Sequence, residues 1–145
     1  MEFTADCKFL DDLAPRLVQR KATLVINPLR ILCADDNVHV LAMLAETLRS
    51  KGHTVDTAVD GQLALNKIAK APTAFDLVVT DSRMPRLDGF GLVEQARSLG
   101  YRGRVIVFAT VLSDEDRHRY TDFGVEKIIQ KPARAGELIK AIENQ

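Results

Sequence analysis

From Leu29 onward, apolar runs of strand length alternate with segments whose apolar positions recur every three or four residues. That is the pattern of βα units building a parallel sheet. Ile31-Leu32-Cys33-Ala34 predicts the first strand, and Val38, Leu41, Leu44, Ala45 and Leu48 mark one face of the helix after it, which Lys51-Gly52 closes. His53 to Val59 is more polar and alternating, as expected of a strand near a sheet edge. Asp60 then caps a helix to about Lys70 with Leu63, Leu65 and Ile68 on its apolar face, and Pro72 forbids continuation. Leu77-Val78-Val79-Thr80, apolar on both faces, predicts a central third strand. Phe90, Leu92, Val93 and Ala96 give a third helix ended by Gly100, and Val105-Ile106-Val107-Phe108 a doubly buried fourth strand. Ser113 followed by Asp114, Glu115 and Asp116 has the form of an N-cap with an acidic first turn, and it opens a polar helix with few core anchors that Gly124 closes. Val125 to Gln130 makes the fifth strand, Lys131-Pro132 breaks it, and Leu138, Ile139 and Ile142 mark the inward face of a last helix. Five such units with right-handed crossovers predict an α/β fold with a doubly wound, five-stranded parallel sheet.

The chain of 145 residues suits one domain, residues 29–145, plus an extension, residues 1–28. Within the extension Phe9, Leu10, Leu13, Leu17 and Val18 share one face at helical spacing, Pro15 interrupts or kinks that helix, and Leu24-Val25-Ile26 forms a short extended piece before Pro28. Two roles stand equally: an arm that packs on its own domain or on a second copy in a homodimer, and the residue of a linker.

Charge narrows the partners. The 20 basic residues balance the 20 acidic ones, which gives no overall field toward nucleic acid or an anionic membrane. No apolar stretch is long enough for a signal-peptide core or a membrane span, and Cys7 and Cys33 form no disulfide framework, so the expected compartment is the cytoplasm. Cys33 reads as a small buried hydrophobe. His39, His53 and His118 lack metal-ligand spacing and are expected in surface or helix roles.

The candidate chemistry sits at strand ends. Asp35-Asp36 follow the first strand, Asp81 the third and Lys131 the fifth, and in a parallel sheet those ends converge on the ligand-binding edge. Three clustered carboxylates call for a hard cation such as Mg²⁺, and a nearby lysine suits a transferred phosphoryl group. The chemistry indicated is phosphorylation of an aspartate. Each residue also has an ordinary reading: Asp35 or Asp36 as the N-cap of the first helix, Asp81 as a cap or turn aspartate, Lys131 as a surface lysine. In Met84-Pro85-Arg86-Leu87-Asp88-Gly89, proline fixes one backbone angle and Gly89 permits a conformation that other residues avoid, so the loop beside the cation is shaped by the chain itself.

These motifs, in this order from about Leu29 to the C-terminus, resemble the receiver domain of bacterial two-component response regulators of the chemotaxis-regulator type. The resemblance implies a flavodoxin-like strand order of 2-1-3-4-5. It implies that Asp81 accepts a phosphoryl group, with Mg²⁺, from a histidine kinase or histidine phosphotransfer protein. The chain would then be no enzyme but a phosphoacceptor that assists its own phosphotransfer and dephosphorylation. By the same resemblance Asp36 and Asp81 bind Mg²⁺ directly, Asp35 largely through water, and the backbone carbonyl of Arg83 supplies another oxygen. Lys131 pairs with the acceptor carboxylate and then with the phosphoryl oxygens, the Lys131-Pro132 bond is cis, and the fourth helix, fifth strand and fifth helix form the face for a downstream protein. Arg83, two residues after the acceptor, is placed to influence dephosphorylation. With no output domain after Gln145, the message is expected to pass by protein contact.

One departure stands out. The family's Ser or Thr at the end of the fourth strand falls here on Ala109, Thr110 takes the place of its small neighbour, and Ile128 replaces the aromatic of the fifth strand. Either Thr110 reaches the phosphoryl group from a shifted backbone or the switch is rewired. A rival reading is therefore a phosphorylation-independent interaction module with a degenerate switch. An aspartate-nucleophile phosphatase would need an Asp-x-Asp motif that Asp35-Asp36-Asn37 does not offer, and a flavin protein a phosphate loop that does not follow the first strand.

Overall fold

Among the described residues, strands and helices alternate as β1 (Arg30–Ala34), α1 (Val38–Ser50), β2 (Thr54–Ala58), α2 (Gly61–Lys70), β3 (Leu77–Thr80), α3 (Gly89–Ser98), β4 (Arg104–Ala109), α4 (Asp114–Asp122), β5 (Lys127–Gln130) and α5 (Ala135–Glu143). The computed structural model describes residues 27–133 and 135–143. The amphipathic face and short extended piece expected at Phe9–Ile26 lie outside them.

All neighbouring strands pair in parallel, in the order β2-β1-β3-β4-β5. Every residue of β3 is buried, as is β1 beyond Arg30, because helices cover both faces of these central strands. Side-chain alternation splits the core in two. Ile31, Cys33, Leu77, Val79, Ile106 and Phe108 face α1 and α5, while Leu32, Ala34, Val78, Val105 and Val107 face α2, α3 and α4. Cys33 is buried and unpaired. No described helix is long and apolar enough to cross a membrane.

The helix ends follow from local chemistry. Asp60 accepts from the Leu63 amide at 2.7 Å, Ser113 from the Asp116 amide at 3.1 Å, and Gly52 and Gly124 take the positive φ that ends α1 and α4. α1 is capped by Asn37, whose Oδ1 accepts from the His39 and Val40 amides, and not by Asp35 or Asp36.

Two apolar positions lie off the expected faces. Val38 is 58% exposed because it is the first residue of α1, at the rim beyond the strands. Leu63 is 39% exposed because the buried stripe of α2 is Gly61, Ala64, Leu65 and Ile68, and Leu63 falls outside that 3.6-residue spacing. α4 is as polar as its sequence, with Tyr120 its buried residue. Its C-terminal end is held from α3 by Arg97, whose guanidinium donates to the carbonyls of Phe123 and Gly124 and to those of Tyr101 and Gly103.

His53 departs from the surface or helix role. It is 7% exposed, between α1 and β2, and its Nδ1 accepts from the Leu29 amide at 3.0 Å where the chain enters β1. Burial holds its pKa below the ordinary 6.5, partly opposed by the carboxylate of Glu143. The folded value lies below the unfolded one, so the contribution is fully present above the unfolded pKa and is lost as pH falls through the folded value. Urea unfolding at pH 7.5 and pH 5 is expected to show a lower midpoint at acid pH. His53→Asn, which keeps an acceptor but cannot titrate, is expected to lose less, and equal losses in both proteins would contradict this role.

Candidate functional site

The pairing of β1 with β3 builds the acidic centre. Ala34 lies opposite Thr80, and the Asp81 amide donates to the Ala34 carbonyl at 2.9 Å, so Asp35 and Asp81 leave the sheet side by side. Carboxylate oxygens of Asp35, Asp36 and Asp81 lie within 4.8 Å of one another. Asp35 is buried, Asp81 half-buried and Asp36 exposed.

The pairing of β4 with β5 delivers the cation in the same way. Ala109 lies opposite Gln130, and the Lys131 amide donates to the Ala109 carbonyl at 2.7 Å. Lys131 Nζ then lies 2.7 Å from Asp35 Oδ2 and 3.4 Å from Asp81 Oδ2, so its nearer partner is Asp35 and it bridges both acids. Asp81 keeps its other oxygen on the Ser82 amide at 2.7 Å. Burial pushes the Asp81 carboxyl above its ordinary pKa, an effect the ammonium of Lys131 opposes and the charge of Asp35 reinforces.

Three carboxylates against one ammonium leave a net negative, all-oxygen donor set. That set fits a hard divalent ion such as Mg²⁺, with the exposure of Asp36 leaving room for coordinating water. A cavity of about 310 Å³ opens beside Asp81, lined by Asp81, Ser82, Arg83, Thr110 and Val111. Thr110 thus faces the same space as Asp81, whereas Ala109 is buried and brings only a methyl group. Ile128 is half-buried against the core on the α2, α3 and α4 side.

The loop from Met84 to Gly89 carries a correction. The left-handed residue is Arg86, at φ 70°, and Gly89 has no positive φ. Gly89 is required by close approach: a Cβ there would collide with the Asp81 carbonyl oxygen and come 2.9 Å from the Ser82 Cα. Its amide donates to the Ser82 carbonyl at 2.9 Å, and Asp88 caps α3 on the Gly91 amide at 2.7 Å. Leu87, bonded to the Pro85 carbonyl, presses its own carbonyl on Gly61 at the start of α2. The Lys131-Pro132 peptide is cis.

Sequence reasoning missed the aromatic packing beside this loop. Tyr120 is 2% exposed and meets Phe90 edge-on at 5.7 Å between centroids, while Phe90 meets Phe123 at 5.3 Å. Arg119 covers the outer face of Phe90 at 3.9 Å. The available signal was Tyr120 itself, the large aromatic in an otherwise charged helix. Burial, reinforced by the carboxylates of Asp88, Asp116 and Asp81, pushes its phenol well above the ordinary pKa. On the other side of the site, Val40, Met43, Phe108, Thr110, Lys131, Pro132 and Ala133 line an apolar hollow of about 390 Å³.

Comparison with known proteins agrees with this geometry. A family model described as response regulator receiver domain matches residues 31–143. The chain is 35% identical over 112 residues to a gliding motility regulatory protein of Myxococcus xanthus, covering 76% of this chain and 14% of that protein. It is 37% identical over 112 residues to the response regulator MprA of Mycolicibacterium vanbaalenii, covering 77% of this chain and 48% of that protein. The chain thus spans less than half the length of these two relatives. Among solved structures, the chemotaxis protein CheY4 of Vibrio cholerae matches with a TM-score of 0.73 and 30% identity, over 80% of this chain and 97% of that one. The non-phosphorylated HemR receiver domain of Leptospira biflexa matches with a TM-score of 0.74 and 29% identity, over 81% and 92%. With the strand order, the acidic centre beside Lys131 and a family match over most of its length, this chain belongs to the receiver domains of two-component response regulators.

Proposed function

We propose that the chain is a phosphoacceptor and that Asp81 is phosphorylated by a phosphohistidine donor, a histidine kinase or a histidine phosphotransfer protein. The observation that carries this reading is Lys131 Nζ held 2.7 Å from Asp35 and 3.4 Å from Asp81 in a three-carboxylate cluster. A Mg²⁺ ion held by Asp35, Asp36 and Asp81 would supply charge neutralisation on the transferred group.

Asp81 Oδ2 is the attacking atom, since Oδ1 is fixed by the Ser82 amide and Oδ2 faces Lys131. A bond forms from that oxygen to phosphorus as the P–N bond of the phosphohistidine breaks, and the imidazole leaves with the electron pair. Carboxylates are weak nucleophiles, so alignment and charge compensation do the catalytic work. Lys131 follows the developing charge from the carboxylate to the phosphoryl oxygens. The chain is an acceptor in this step and not an enzyme with turnover, and the face of α4, β5 and α5 carries the change to a downstream protein.

Ala109 and Ile128 favour one second reading, a receiver-like module that works by contact alone. Incubation with acetyl phosphate and Mg²⁺ separates the two by intact mass. The unmodified chain is expected to gain one phosphoryl group, to lose the gain under EDTA, and to show none as Asp81→Asn. Asp36→Asn is expected to weaken Mg²⁺ binding by on the order of tenfold or more, read from the Mg²⁺-dependent shift in thermal midpoint. An unmodified chain that takes up no phosphoryl group is the module.

The apolar hollow beside Lys131 is our candidate surface for the protein donor, because Met43, which is 40% exposed, lines it together with Lys131. Met43→Asp is therefore expected to slow phosphotransfer from a phosphohistidine protein while leaving modification by acetyl phosphate unchanged. Equal slowing with both donors would move the docking surface elsewhere.

A further inference from the structure

We propose that Tyr120 is the positioning residue that reports the state of Asp81 to α4, in place of the hydroxyl and aromatic pair that Ala109 and Ile128 do not provide. This rests on the reading of Asp81 as phosphoacceptor.

Three observations carry it. Tyr120 is the buried residue of α4, so it is the point through which that helix touches the core. Its hydroxyl lies 3.0 Å from the position a Cβ on Gly89 would occupy, and the Asp81 carbonyl oxygen presses on that same position. The hydroxyl and the acceptor backbone therefore meet across one glycine. Finally, Tyr120 lines a smaller cavity of about 110 Å³ that shares Ser82, Arg83 and Val111 with the cavity over Asp81.

A phosphoryl group on Asp81 adds charge and three strong acceptor oxygens to that joined space, where hydrogen-bond donors are drawn toward it. Thr110 offers one hydroxyl, but it is exposed on the segment before α4 and does not anchor the helix. Tyr120 offers a donor on a buried ring that is carried by α4 and packed edge-on against Phe90, so a shift of that ring is passed to the helix that carries it. The N-terminal half of α4 is free to follow, because the carbonyls that Arg97 holds lie at the other end. The effect is a shift between two arrangements of α4, set by how differently they contact the modified site.

The test uses the full chain with Mg²⁺ and beryllofluoride, which forms an adduct on the acceptor carboxylate, and compares it with Tyr120→Phe. Fluorine NMR reports occupancy of the site, and amide hydrogen exchange of residues 114–122 reports α4. Both proteins are expected to show bound fluoride and the same exchange without the adduct. The adduct-dependent change in α4 exchange is expected to shrink by about tenfold in Tyr120→Phe, the worth of one hydrogen bond to a charged acceptor. Bound fluoride with an undiminished α4 response in the variant overturns the role of Tyr120 and leaves the acceptor reading standing. No bound fluoride in the unmodified chain overturns both.

Discussion

The structure turns on the register between two neighbouring strands. Setting Ala34 opposite Thr80 makes the next residue of each chain a carboxylic acid, so the fold itself forces Asp35 and Asp81 together. Like charges at this range repel, and among the described residues the positive side chain bonded to them, Lys131, lies 96 positions away in sequence from Asp35. A slip of one residue between β1 and β3 would turn every inward side chain outward and dissolve the centre at once. The apolar packing on both faces of the sheet therefore holds the charged edge in place, and burial and electrostatic tension at that edge are two consequences of one pairing.

Much of this was legible from the residues. Apolar runs buried on both faces announced β3 and β4, and the acids and the lysine directly after such runs announced the edge where they meet. The strand order came from the family resemblance and not from periodicity, since the alternating pattern fixes which elements exist and says little about which strands become neighbours.

What stayed hidden was set by close approach and not by pattern. Gly89 invites a torsional explanation, yet the backbone needs it because the Asp81 carbonyl leaves no space for a methyl group, while Arg86 takes the left-handed angle that glycine adopts most readily. Asn37 caps α1, and the sequence hides this because the two acids before it share its capping preference. Tyr120 escaped for a related reason: one buried ring in a charged helix leaves no periodic trace. His53 is of a type that favours the surface, yet it is buried with its Nδ1 on the Leu29 amide.

The arginine of α3 that grips the far end of α4 has a consequence for how such a domain diversifies. Tyr120, the Ser113 cap, the cover of Arg119 on Phe90 and one borrowed guanidinium secure the helix, so exposed positions such as Asp114, Glu115, His118 and Asp122 can be rewritten without touching its packing.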